Sequence, residues 1–328
     1  MSKLLQINNL KTVFYTEEGQ VPSVDNVSLD IKKGETVAIV GESGSGKSVT
    51  ALSILGLVPS PGRVVTGEIL YEGKDLLKMT DKEIKKIRGN EISMIFQEPL
   101  SALNPVLTVG KQIQESIELH QKKKGKRAKE KVIQLLNRVG IPRPEKVYYS
   151  YPHTLSGGMR QRVMIAMALS CRPKLIIADE PTTALDVTTQ AQILNLMKSL
   201  SEEEGTTILI ITHDLGVVAE MADRVVVMYA GQVVEQSTVY DLFEKPEHPY
   251  TKGLLDCTPK IHGESEELLA IEGTVPTIQN RPTGCKFHPR CKFTHEKCKE
   301  KDPELFTIKE KQKVRCYLHE KVIEERLK

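Results

Sequence analysis

The sequence predicts an α/β fold with a mixed sheet core, and three observations predict it. Thr36-Val37-Ala38-Ile39-Val40 is apolar almost throughout, as a strand buried on both faces would be. A glycine-rich turn follows it, and then the helix-like stretch from Lys47 to Leu57. Leu175-Ile176-Ile177-Ala178 and Thr207-Ile208-Leu209-Ile210-Ile211 are two more buried-strand candidates, with helical Thr189–Ser201 between them. Strand–helix–strand alternation of this kind argues for parallel strands.

The remaining elements follow in chain order. Leu4, Ile7 and Leu10, then Val24, Val27, Leu29 and Ile31, are separated by polar residues, which suits a half-buried antiparallel sheet over residues 1–40. Residues 98–160 change character, with Glu115–Arg138 rich in helix formers, and read as a mostly helical insertion. Six prolines between Pro246 and Pro289 punctuate a loop-rich tail. We place a boundary near residue 255, giving a domain over 1–255 and an extension over 256–328.

The chain has 328 residues, enough for a large core, and its 39% apolar and 27% charged residues read as globular. Lys and Arg number 46 against 43 Asp and Glu, and this net charge of +3 gives no argument for nucleic acid. No apolar run approaches the roughly 18 residues of a spanning helix, and Met1-Ser2-Lys3-Leu4-Leu5-Gln6 lacks the regions of a signal peptide. The expectation is a protein that is neither secreted nor integral to a membrane. The basic run Lys122-Lys123-Lys124-Gly125-Lys126-Arg127 reads first as a solvated face and second as a contact for anionic lipid.

Gly41-Glu42-Ser43-Gly44-Ser45-Gly46-Lys47-Ser48 fits the pattern G-x-x-x-x-G-K-[ST]. Glycines let the backbone curl so that successive N–H groups face phosphate oxygens, and the helix that starts there adds its positive dipole end. Lys47 can reach the β- and γ-phosphates, and the Ser48 hydroxyl can ligate Mg²⁺. The second half of such a site lies 131 residues beyond Ser48, where an apolar strand ends in Asp179-Glu180. Asp179 can join the Mg²⁺ shell, and Glu180, one residue on, can face the γ-phosphate and accept a proton from the attacking water.

Leu155-Ser156-Gly157-Gly158-Met159-Arg160-Gln161-Arg162 resembles the signature motif of ABC (ATP-binding cassette) ATPases. Physically it is a second phosphate-binding helix start, with Ser156 and the Gly157 and Gly158 amides available to a γ-phosphate. One chain cannot easily aim two such sites at one nucleotide. The resemblance implies two cassettes facing head to tail, each ATP lying between the phosphate loop of one and the signature of the other. It also implies an ABC-type P-loop ATPase fold with an antiparallel β subdomain and a helical subdomain over about 98–160. Gln97 matches the Q-loop glutamine that contacts Mg²⁺ or water, Ala184-Leu185-Asp186 the D-loop, and His213 the switch histidine that bonds the γ-phosphate. Phe14, or in second place Tyr15, matches the aromatic that stacks on adenine.

Three further segments are similar to the oligopeptide/dipeptide importer branch, which includes nickel importers. They are Phe96-Gln97-Glu98-Pro99-Leu100-Ser101-Ala102-Leu103-Asn104-Pro105, His248-Pro249-Tyr250-Thr251-Lys252-Gly253-Leu254-Leu255 and Gly284-Cys285-Lys286-Phe287-His288-Pro289-Arg290-Cys291. The resemblance implies transport-coupled ATP hydrolysis with ATP and Mg²⁺ on the cytoplasmic face of the membrane. It implies as partners a second cassette, identical or homologous, two integral permease subunits and an extracytoplasmic peptide-binding protein. Dipeptide, longer peptide and nickel stay open as the solute. A soluble ABC ATPase and a non-enzymatic metal-binding regulator are the rival classes. The short gap between phosphate loop and signature argues against the first, and an intact Glu180 against the second.

Four of the six cysteines, Cys285, Cys291, Cys298 and Cys316, fall in the last 44 residues with the spacing C-x5-C-x6-C-x17-C. Structural zinc sites use tight C-x2–4-C pairs, and none occurs here. Some members of the branch carry a [4Fe–4S] cluster on the matching cysteines, so the resemblance implies a Cys₄ cluster site. Zinc and plain thiols or disulfides remain the alternatives.

Overall fold

The computed structural model describes residues 2–17, 19–183, 185–257, 271–277 and 280–320. The chain begins with β1 (Lys3–Thr16), β2 (Gly19–Lys32), β3 (Thr36–Val40), α1 (Lys47–Ile54), β4 (Gly62–Tyr71) and β5 (Lys74–Asp75). Then come α2 (Asp81–Ile87), β6 (Ile92–Ile95), α3 (Pro99–Ala102), α4 (Val109–Gln121), α5 (Gly125–Arg138), α6 (Pro144–Val147) and α7 (Gly157–Leu169). The order continues with β7 (Leu175–Asp179), α8 (Val187–Glu204), β8 (Thr207–Thr212), α9 (Leu215–Met221), β9 (Arg224–Tyr229) and β10 (Gln232–Thr238). Helices α10 (Val239–Glu244), α11 (Pro249–Asp256) and α12 (Glu296–Glu300) precede β11 (Phe306–Lys309) and β12 (Gln312–Val314). No helix among the described residues is long and apolar enough to cross a membrane.

The chain divides into two compact units. The first is Met1–Ser2, Lys32–Thr36 and Lys78–Ile211, and the second is Lys3–Ile31, Val37–Leu77 and Thr212–Lys328.

In the first unit β6, β7 and β8 run parallel, with Ile92 beside Leu175 and Leu175 beside Thr207. Every residue of β7 and β8 is buried, which is why both read as unbroken apolar runs. Helices α3 to α6 follow β6 in this unit. Helix α5 buries Ala128, Val132, Leu135 and Leu136, one face at helical spacing. The basic run of residues 122–127 is exposed throughout and spans the end of α4, the turn after it and the start of α5. Lys122, in a left-handed conformation (φ 56°), ends α4, and α5 begins at Gly125. A Cβ at Gly110 on α4 would lie 2.3 Å from the Tyr148 ring, a close approach only glycine permits.

In the second unit β2, β1, β4 and β5 form an antiparallel sheet in that order. Asn9 (φ 49°) and Gly67 (φ 106°) mark the irregularity where β1 and β4 lose register, and a Cβ on Gly67 would meet Leu10 Cα at 2.7 Å. Strand β3 pairs parallel with β9, from Val37 beside Arg224 to Val40 beside Val227, and β9 turns back into antiparallel β10. Val37, Ile39, Val225, Val226 and Val227 are wholly buried. Each contributes about 1.5–3 kcal/mol of burial free energy.

The described part of the tail adds strands to the sheet, β12 pairing antiparallel with β10 and β11 with β12. Buried Glu235 on β10 accepts from the Glu247 and His248 amides at 3.0 and 2.9 Å, fixing the start of α11. Burial raises the Glu235 pKa, and these donors oppose that rise. Arg315 donates to the carbonyls of Val233 and Pro303 at 2.8 and 2.9 Å.

Candidate active site

The phosphate loop belongs to the second unit. It leaves β3 at Gly41, where a Cβ would lie 2.2 Å from the Met228 carbonyl, and enters α1 at Gly46 (φ 96°), where one would lie 2.5 Å from the Ser23 carbonyl. Neither position admits a side chain, so the loop is threaded between β9 and β2. The Ser45 carbonyl accepts from the Gly231 amide at 2.9 Å. No side chain caps α1. Lys47 is buried, and its Nζ donates to the carbonyls of Gly41 and Glu42 at 2.7 and 3.0 Å and contacts Ser45 Oγ at 3.4 Å. The cation is held in the bowl of the loop by the loop's own oxygens, an arrangement suited to a phosphate oxygen. Ser48 follows on the first turn of α1. In the same unit, exposed His213 sits between β8 and α9, whose start Asp214 caps by accepting from the Gly216 amide at 2.8 Å. Phe14, half-buried on β1, lies against Gly62, where a Cβ would come within 2.6 Å of its ring, and Tyr15 is covered by Arg63 at 4.2 Å.

The carboxylates and the serine-glycine-glycine turn belong to the first unit. Asp179 is the buried last residue of β7. Glu180 then adopts a left-handed conformation (φ 46°) while its amide donates to the Ile211 carbonyl at 2.8 Å. Such a conformation costs a non-glycine residue roughly 1–2 kcal/mol. Gln97 Nε2 and Thr183 Oγ1 both donate to Glu180 Oε2 at 2.9 Å. The structure therefore brings together the predicted Gln97 and Glu180. Ser156 caps α7, accepting from the Met159 amide at 3.4 Å. A Cβ on Gly158 would lie 2.8 Å from Thr189 Cγ2, so the turn packs directly on the start of α8. Asp186 caps α8, accepting from Thr189 N and Oγ1 at 2.9 and 2.8 Å, and these bonds lower its pKa. Ala184 lies outside the described residues.

The four tail cysteines line one small cavity of about 20 Å³, together with Phe287 and Tyr317. All four are free thiols. Burial first, then the neighbouring thiols, pushes Cys285 up to about 11 and Cys316 up to about 12, and burial also raises Cys291. Among the described residues no three His, Cys, Asp or Glu side chains are spaced to hold a single metal ion.

Two residues that sequence reasoning left without a role hold the phosphate loop. Tyr250 Oη accepts from the Glu42 amide at 2.8 Å, and Arg290 grips the Glu42 carboxylate. The HPYT and CKFHPRC segments were visible as motifs. No local pattern announces contacts across 208 and 248 residues.

The chain is 59% identical to the oligopeptide transport ATP-binding protein AppD of Bacillus subtilis, over 98% of both chains. This chain belongs to the ABC transporter ATP-binding proteins of the oligopeptide/dipeptide branch. This ABC ATPase is also 50% identical to the dipeptide transport ATP-binding protein DppD of B. subtilis, over 98% of this chain and 96% of the relative. With DppD of Escherichia coli the identity is 47%, over 96% of each. The ABC transporter family matches residues 24–183, and the family described as oligopeptide/dipeptide transporter, C-terminal region, matches residues 234–298. Among solved structures, the ABC ATPase resembles the cassette MJ0796, determined as a dimer in a post-hydrolysis state with ADP and Pi. The TM-score is 0.65 at 31% identity, over 72% of this chain and 98% of that one.

Proposed function

We propose that this chain binds MgATP and hydrolyses it to power uptake of di- or oligopeptides through separate permease subunits. The observation that carries this is the phosphate loop with Lys47 held in its bowl, in a chain related over nearly its whole length to peptide-transport ATP-binding proteins. Gly41, Ser43, Gly44, Ser45 and Gly46 supply the backbone cradle, and Lys47 supplies the cation for the β- and γ-phosphates. Ser48, Gln97 and Asp179 would hold Mg²⁺, which neutralises phosphate charge and orients the γ-phosphate. Glu180 accepts the proton of the attacking water, His213 bonds the γ-phosphate, and Phe14 stacks on adenine. Ser156, Gly157, Gly158 and Asp186 serve a nucleotide held by a second cassette, identical or homologous. The domain division at about 255, with a helical subdomain over about 98–160, belongs to the same proposal.

Two integral permeases and an extracytoplasmic peptide-binding protein complete the assembly, with this chain peripheral on the cytoplasmic face. No nucleic acid takes part. Purification of the tagged chain from its own membranes in mild detergent tests this. Two integral membrane proteins are expected to co-purify, and the associated receptor is expected to hold peptides. A chain that purifies alone would remove the transport assignment, and a receptor holding nickel would remove the peptide.

The proposal extends to a [4Fe–4S] cluster on Cys285, Cys291, Cys298 and Cys316. What supports it is the donor set itself, four free thiols on the wall of one cavity. The cavity is small as it stands, so loading requires its thiol walls to part. A bound cluster would cross-link the turns of the tail, and no redox step is assigned to it. Protein purified without oxygen is expected to be brown, with about four irons per chain if the site fills. A colourless, iron-free preparation would eliminate the cluster.

A further inference from the structure

The phosphate loop is gripped from outside by the C-terminal tail. Arg290 sits at the end of a single helical turn, His288–Arg290, between Cys285 and Cys291. Its Nη1 donates to Glu42 Oε2 at 2.7 Å and its Nη2 to Glu42 Oε1 at 3.1 Å, the two-pronged pairing that only a guanidinium makes. The arginine side chain is 5% exposed. It is oriented from behind, donating to the carbonyls of Glu272 and Ile271 at 2.9 and 3.2 Å, with Tyr229 Oη at 3.4 Å. Burial opposes the charge on Arg290, but the Glu42 carboxylate more than offsets it and holds the guanidinium pKa above its ordinary value.

Glu42 is the second residue of the loop, and its side chain, amide and carbonyl are all engaged. Its side chain takes Arg290, its amide donates to Tyr250 Oη, and its carbonyl accepts from Lys47 Nζ at 3.0 Å. Tyr229, Tyr250 and Phe287 pack around this point with ring centroids 4.6 to 5.4 Å apart, so the aromatic support of Arg290 and that of the loop are one cluster. Nothing in the phosphate-loop chemistry asks for a carboxylate at this position. An unpaired acid there would place negative charge next to incoming phosphates.

We propose that Arg290 is a positioning residue of the nucleotide site: it neutralises Glu42 and fixes the peptide that orients Lys47, so that the tail sets the affinity for MgATP. The inference rests on reading Gly41–Ser48 as the phosphate loop.

The test is MgATP affinity of the full chain by calorimetry, with thermal unfolding recorded for every variant and Lys47→Ala as the control on the loop. Arg290→Ala is expected to weaken MgATP about tenfold, and Arg290→Lys to recover only part of this, since an ammonium reaches one oxygen where a guanidinium reaches two. Combining Arg290→Ala with Glu42→Gln should weaken binding less than Arg290→Ala alone, because removing the acid removes the repulsion that Arg290 cancels. In the assembled transporter the loss should appear in KM for ATP, with kcat at saturating ATP retained. A folded Arg290→Ala with unchanged affinity, while Lys47→Ala has lost binding, would overturn the proposal. So would full rescue by lysine, or strictly additive losses in the double variant. Should Arg290→Ala not fold, Arg290→Lys against the double variant with Glu42→Gln carries the same comparison. If Lys47→Ala binds normally, the phosphate-loop reading itself fails and the tail's role falls with it.

Discussion

Replacing Glu180 by Gln leaves MgATP binding intact and lowers hydrolysis by about 10²–10⁴, the range attributable to a positioned proton acceptor. The substitution keeps the size of the side chain and the left-handed backbone that aims it (φ 46°). An amide oxygen can still accept from Thr183 Oγ1, now at 2.9 Å from Glu180 Oε2, so the local structure survives. What is lost is the capacity to take a proton. The Gln97 amide also donates to that oxygen at 2.9 Å, and a glutamine oxygen, with two lone pairs, can accept both donors. The check is a pair of measurements on the assembled transporter: nucleotide affinity, unchanged, and phosphate release, nearly absent. Turnover at the wild-type rate would refute the assignment of Glu180 as the base.

Lys47→Ala acts one stage earlier. The Lys47 side chain is buried, and its Nζ donates to the Gly41 and Glu42 carbonyls at 2.7 and 3.0 Å. A triphosphate brings the negative charge that this cation is placed to meet. Each hydrogen bond to a charged group is worth roughly 1.5–3 kcal/mol, so two lost phosphate contacts weaken MgATP on the order of 100-fold or more. The same substitution removes a donor from both carbonyls, of which that of Glu42 keeps the Ser45 amide at 3.2 Å, and the thermal midpoint should fall as well. Calorimetric titration with MgATP beside a thermal melt separates the two effects. An affinity within a few-fold of wild type would show that Lys47 does not face phosphate.

The two halves of the candidate site differ in how they could be read. The loop at Gly41–Ser48 is legible because its chemistry is local: a buried strand, glycines where no Cβ fits, a lysine and a helix, all within a dozen residues. The turn at Ser156 is legible for the same reason, since a cap and the helix it starts are neighbours in the chain. The grip of Arg290 on Glu42 had no such signature. Nor did the two strands of the tail: β11 and β12 are four and three residues long, and they exist because β10 offers them a partner edge. Short strands with little periodicity carry almost no signal until that partner is known.

The sequence by itself determined the strand–helix alternation, the phosphate loop, the carboxylate pair closing a buried strand and the kinship with ABC ATPases. These follow from periodicity and from residue types at fixed short separations. Only the tertiary structure decided that the tail adds strands to β10, that its four thiols line one cavity and that one of its arginines braces Glu42. Those are contacts between segments tens to hundreds of residues apart. Their geometry is set by the path of the folded backbone, which no local pattern encodes.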